Sequence, residues 1–314
     1  MMIPDASPLA ASAAAIAGNG EGGHGGRPLA VPEGLADYPG AKGGEGVYHT
    51  IISQMPPHEV YIEPFVGSGA VLRFKRPAAC SIAVDADAMV IGYWQRHSSG
   101  KMPEARFICG DGIDFLETYS WRGGELVYAD PPYLMATRSC QRDYYRKEFS
   151  EADHVRLLAV LKALPCPVLL SGYWSPLYDE ALQGWRLLTF QTMTHSKPAT
   201  ECLWMNFPAP LALHDYQYLG AGYRERERIK RKKLRWQKML SKMPPLERAA
   251  VIEAVEDMKK NFTPRVRVAS CQACGRPGKY IRTRYFETEK SDVWLCQNET
   301  CKDFGLYFHT DSKL

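Results

Sequence analysis

The 314-residue chain has no run approaching 18 consecutive apolar residues, too little for a membrane-crossing helix. Its one alanine-rich stretch, residues 10–17, lacks a basic lead-in. Asp5 is the only charge ahead of it, so the pattern is not that of a secretory signal. No internal repeat is present, which argues against solenoids and propellers. The nine cysteines do not form an even framework: Cys80, Cys109, Cys140, Cys166 and Cys202 are scattered, and Cys271, Cys274, Cys296 and Cys301 are clustered. An odd count with one tight cluster suits free thiols plus a metal site better than disulfides. These absences give the expectation of a cytoplasmic protein with no membrane partner.

What is present is an ordinary globular balance, 45% hydrophobic and 24% charged. The net charge of +4 is unevenly spread. Between Arg224 and Lys242, ten Lys/Arg face two Glu, a local +8 against −4 for the rest. Residues 1–36 are rich in Ala, Gly and Pro and are expected to form a disordered tail. Residues 37–210 alternate short apolar runs with helical patterns, which predicts an α/β sheet between helices. Within residues 211–264, a basic segment reads as two helices split by Pro244-Pro245. Val251, Val255, Met258 and Phe262 line up as an apolar stripe on the second. Residues 265–314 carry the clustered cysteines.

Three strand ends in the α/β region share a character. Glu63-Pro64-Phe65-Val66-Gly67-Ser68-Gly69 follows a short apolar strand and precedes a helix. Glycines there let a ligand approach the backbone, and the helix N-terminus offers free N–H groups. The next strand ends at Asp85, an acid placed to bind a ribose diol or to cap a helix. A third ends at Gly110-Asp111, where a loop can receive an adenine ring. The set fits a nucleoside site at the carboxyl edge of the sheet.

A fourth strand stops at Asp130-Pro131-Pro132-Tyr133. Two prolines remove two N–H donors and stiffen the turn. The Asp130 carboxylate and the nearby carbonyls can accept the hydrogens of an exocyclic amine while Tyr133 stacks on its ring.

With these motifs in hand, residues 37 to about 208 resemble the D12 class, Dam-like, of adenine-N6 DNA methyltransferases. The resembling stretches are residues 38–42, 63–69, the tetrapeptide 130–133, 170–173 with Leu177-Tyr178, and 201–206. The resemblance implies a Rossmann-like S-adenosylmethionine-dependent methyltransferase sheet with helices on both faces and one antiparallel edge strand. It further implies catalysis by Asp130, Pro131, Pro132 and Tyr133. Cofactor contacts would come from Tyr38, Lys42, Glu63, Pro64, Phe65, Gly67, Ser68, Gly69, Asp85, Asp111 and Asp130. DNA would be the partner and S-adenosylmethionine the methyl donor. Asp at 130 leans toward adenine rather than cytosine N4; an RNA acceptor and a non-catalytic DNA-binding adaptor are the other readings. Pro165-Cys166 offers the dipeptide of a cytosine-C5 nucleophile, but in an apolar context that reads as packing.

The chain departs from longer members in having only residues 112–129 between Asp111 and Asp130, too few for a recognition domain. Residues 134–150, with Arg138, Arg142, Tyr144, Tyr145, Arg146 and Lys147, are one candidate for DNA contact; residues 192–200, with His195 and Lys197, are another. The basic segment suits phosphate binding. Cys271-x2-Cys274 and Cys296-x4-Cys301, 21 residues apart, have the paired spacing of a structural four-thiolate Zn2+ site, with strands expected between them as in a zinc ribbon.

Overall fold

The computed structural model describes residues 42–43, 46–98, 102, 104–138, 148–193 and 198–260, with three further strands between 279 and 313. The expected tail, Tyr38, residues 139–147 and the four clustered cysteines lie outside the described residues. The chain divides into two compact units, residues 1–231 and 232–314.

The first unit is built on a seven-stranded sheet: β1 (Val60–Glu63), β2 (Cys80–Asp85), β3 (Ala105–Cys109), β4 (Glu125–Ala129), β5 (Val168–Gly172), β6 (Arg186–Met193) and β7 (Pro198–Met205). Their order is β3-β2-β1-β4-β5-β7-β6. The first five strands pair in parallel, and β7 runs antiparallel to both its neighbours. The expected antiparallel edge strand is therefore corrected: β6 and β7 form a hairpin whose second strand folds back beside β5, leaving β6 outside. Every residue of β4 and β5 is buried. Strands covered on both faces read as unbroken apolar runs, as Leu126-Val127 and Val168-Leu169-Leu170 do. With this order and helices on both faces, the unit is a Rossmann-like α/β fold.

Helices α1 (Val47–Ile52), α2 (Ala70–Phe74) and α3 (Ala88–Ser98) contribute to one apolar cluster, around Ile51, Leu72 and Trp94. α4 (Gly112–Thr118), α5 (Glu151–Ala163) and α6 (Pro176–Ala181) contribute to a second, around Leu116, Leu157 and Tyr178. Their starts are chemically marked. Asp111 accepts from the backbone of Ile113 and Asp114, Ser150 and Asp153 form a reciprocal capping box, and Ser175 caps α6 with Pro176 in its first turn.

Helix α7 (Tyr223–Ser241) contains the division between the units and buries no residue. In the second unit, α8 (Pro245–Lys260) begins at the second proline of the expected break. Its apolar stripe is not covered: Val255 is 59% exposed and Met258 72%. Phe262 lies outside the described residues. β8 (Lys279–Tyr285), β9 (Glu289–Leu295) and β10 (Tyr307–Lys313) form an antiparallel sheet with β9 in the centre. The register sets Lys279, Leu295 and Tyr307 side by side at one end.

Candidate active site

Sheet order places the site. From β1 the chain builds outward through β2 and β3, then β4 returns to the other flank of β1. Loops leaving β1 and β4 diverge at this switch point, which opens a crevice at the carboxyl ends of the strands. The Glu63–Gly69 loop forms one wall and the Asp130–Tyr133 loop the other.

The β1 wall is shaped by backbone. Gly67 and Gly69 hold φ of 44° and 56°, in the left-handed region. A Cβ on Gly69 would stand 2.5 Å from the Trp94 ring. The indole in turn donates to the Gly67 carbonyl at 3.0 Å, so the loop wraps Trp94. Asp85 accepts from the Gly67 N–H and the Asp87 N–H, both at 2.9 Å, stitching the loop to the end of β2. Burial raises its carboxyl above the usual range. Pro64 and Ser68 are buried, and Phe65 is partly buried, edge-on to Phe149. Gly112 lets the Asp111 loop close on Pro64, because a Cβ there would strike the Pro64 carbonyl. Asp111 itself is exposed, with one carboxylate oxygen used by the α4 cap. Glu63 accepts from the Tyr61 hydroxyl at 2.8 Å, and burial pushes its carboxyl up to about 8. These residues form a glycine cradle beside three acids, which fits S-adenosylmethionine.

The β4 wall is built from side-chain charge. Lys42 Nζ lies 2.9 Å from Asp130 Oδ1, and their side chains are only 6% and 16% exposed. The ammonium is the charged partner of this buried carboxylate. Burial raises the Asp130 carboxyl to about 6; Lys42 pulls it down and Glu201 pushes it up. The same ammonium lies 3.8 Å from Glu201 Oε2 and 4.7 Å from the centre of the Tyr133 ring. The Tyr133 hydroxyl donates to Glu201 at 3.2 Å, and its ring meets Tyr173 edge-on at 4.7 Å. Lys42 thus stands directly at the Asp130-Pro131-Pro132-Tyr133 tetrapeptide. Glu201, quoted only as part of a strand motif, proves to be an acid of this cluster. Its one sequence signal was a charge at the head of an apolar run.

Arg138 has a different task from the DNA contact expected of it. Its side chain is 7% exposed and its guanidinium forks onto Glu148 at 2.9 and 2.6 Å. Its Nε donates to the Tyr133 carbonyl at 2.7 Å, bracing the end of the catalytic loop. Cys166 is buried in the second apolar cluster, and burial pushes its thiol up to about 12, which removes it as a nucleophile. Among the described residues no group of three or more potential metal ligands occurs, and no helix is long and apolar enough to cross a membrane.

Comparison with known proteins bears on this geometry. A search of curated proteins finds no match. Among solved structures, the chain resembles "Putative methyltransferase yhhF from Escherichia coli" at 18% identity and a TM-score of 0.37, covering 57% of this chain and 91% of that one. It resembles TrmN from Thermus thermophilus at 16% identity and a TM-score of 0.36, covering 50% and 46%. An rRNA methylase from Streptococcus thermophilus matches at 11% identity and a TM-score of 0.36, covering 50% and 93%. The model of one family matches residues 96–196, which hold Asp111, the catalytic tetrapeptide and Tyr173. That model is described as D12 class N6 adenine-specific DNA methyltransferase, and residues 96–196 are the part of the chain similar to it.

Proposed function

We propose that the protein transfers a methyl group from S-adenosylmethionine to N6 of adenine in DNA. The observation that carries this is the buried Asp130 carboxylate at the head of Asp130-Pro131-Pro132-Tyr133, held by Lys42 and neighboured by Glu201. The adenine N6 lone pair is delocalised into the ring and is a poor nucleophile. Asp130 and the Pro131 carbonyl would each accept one N6 hydrogen, drawing the nitrogen toward tetrahedral geometry and freeing the lone pair. Pro131 and Pro132 hold that carbonyl in place, lacking N–H groups that could compete for it. Tyr133, braced at both its hydroxyl and its carbonyl, would stack on a base turned out of the duplex. S-adenosylmethionine, when bound, supplies an electrophilic methyl on a sulfonium. A new N–C bond replaces the S–C bond, and one N6 proton is released. Positioning and electrostatics would supply most of the acceleration.

For the cofactor, Gly67 and Gly69 give close approach, Phe65 and Glu63 flank the methionine portion, and the acids at 85 and 111 face the nucleoside. For DNA, α7 places Arg224, Arg228, Arg231, Arg235 and Lys238 at helical spacing on one face, suited to phosphates. Cys271, Cys274, Cys296 and Cys301 would hold a structural Zn2+. In support, β8 starts five residues after Cys274, β9 ends next to Cys296 and β10 starts six after Cys301, at strand ends set side by side. Elemental analysis of the purified protein should find about one zinc per chain; none would remove the metal from the reading.

The direct test is incubation with S-adenosylmethionine and unmethylated DNA, digestion to nucleosides and mass spectrometry. N6-methyladenine that disappears in Asp130→Ala supports the reaction. Methylation of RNA alone would change the acceptor. Cofactor binding with no methylated product would make the chain a binding adaptor.

A further inference from the structure

The catalytic cluster holds one more acid than the proposed transfer uses. Glu201 is the first buried residue of β7, opposite Phe190 in the β6–β7 hairpin. A carboxylate 8% exposed pays a desolvation cost unless it is partnered. The two partners seen here, the Tyr133 hydroxyl and the Lys42 ammonium, both belong to the active site.

We propose that Glu201 is a positioning residue that fixes the Tyr133 ring through its hydroxyl and receives the Lys42 ammonium when Asp130 turns to the target amine. This rests on the adenine-N6 reading. Lys42 and the incoming amine compete for the same carboxylate. The ammonium stands 2.9 Å from Asp130 and 3.8 Å from Glu201, so a displacement of about an ångström exchanges one carboxylate for the other. Without Glu201, leaving Asp130 would strand a buried cation, a costly state. With it, Asp130 is free to accept while Lys42 stays paired. Lys42, Asp130 and Glu201 together carry a net charge of −1 when all three are ionised. That charge favours the cation that develops at N6 as the methyl attaches and before the proton leaves.

The test compares Glu201→Gln, Glu201→Asp, Tyr133→Phe and the Glu201→Gln/Tyr133→Phe pair in the full chain, on unmethylated DNA. Glu201→Gln is expected to lower kcat about tenfold or more, with the KM for S-adenosylmethionine unchanged. The acidic limb of its kcat profile moves to lower pH, because Asp130 loses a neighbouring negative charge. Glu201→Asp recovers part of the rate. The Glu201→Gln loss shrinks in the Tyr133→Phe background, since the two share one hydrogen bond. Wild-type kcat in Glu201→Gln overturns the proposal. So does a lower kcat with an unmoved acidic limb, the result a merely structural role would give. If Glu201→Gln fails to fold, kcat is read in Glu201→Asp and in Tyr133→Phe, and two wild-type values overturn the proposal equally. A wild-type enzyme that binds S-adenosylmethionine and methylates no DNA fails the reaction reading instead; an active wild type beside an unaffected Glu201→Gln fails this one alone.

Discussion

The two walls of the crevice are held by different means. The β1 wall relies on backbone: left-handed glycines, a carboxylate taking two main-chain N–H groups, and an indole enclosed by the loop. The β4 wall relies on charge: one ammonium between two carboxylates. A backbone cradle is fixed by the chain path, whereas a charge cluster can exchange partners. Cofactor binding and methyl transfer should therefore be separable by substitution.

The largest effect that would break this comparison is at Asp130. Asp130→Ala should lower kcat about a thousandfold while the Kd for S-adenosylmethionine, measured by calorimetry, changes little. An equal loss of cofactor affinity would mean that the two walls act as one. On the other side, Gly69→Ala forces a left-handed alanine, worth about 1–2 kcal/mol, and drives its Cβ into Trp94. Cofactor affinity should fall about tenfold or more with a lowered Tm, while methylation at saturating cofactor should retain most of its rate. A smaller graded effect comes from pH. Asp130 must be ionised to accept the amine, and its carboxyl is raised to about 6. Activity should rise with pH through that value, level off above it, and stand about tenfold below the plateau at pH 5. A limb near pH 4 would show that Lys42 outweighs burial. The smallest effect belongs outside both walls. Arg156 bridges Asp114 and Glu117 on the exposed faces of α4 and α5, and Arg156→Ala should move Tm by no more than about a degree.

The parts that could be read from sequence were those specified locally. α4, α5 and α6 begin where Asp111, Ser150 and Ser175 cap them, because a cap lies within a few residues of what it caps. The tetrapeptide at 130–133 was visible because its chemistry is contiguous. β7 was harder. It starts at Pro198, although its first three residues are not buried and the apolar run begins only at Cys202. Its place between β5 and β6 depends on tertiary pairing. Glu201 followed from that placement, being 71 residues from Asp130 in sequence and brought to it through Lys42 and Tyr133. Arg138 misled for the opposite reason. An arginine beside an active-site loop reads as a phosphate contact, and only the fold brings Glu148 back to it.

The Arg138–Glu148 fork has a consequence for how such an enzyme can diversify. It fastens together the two ends of the segment 139–147, and Arg138 also grips the Tyr133 carbonyl. Length added between those ends is isolated from the catalytic loop by a fastening that stays in place. Doubling a loop costs only about 0.6 kcal/mol in closure entropy. The fork therefore works as a clasp: a change of length between residues 138 and 148 need not disturb the Tyr133 carbonyl that Arg138 holds.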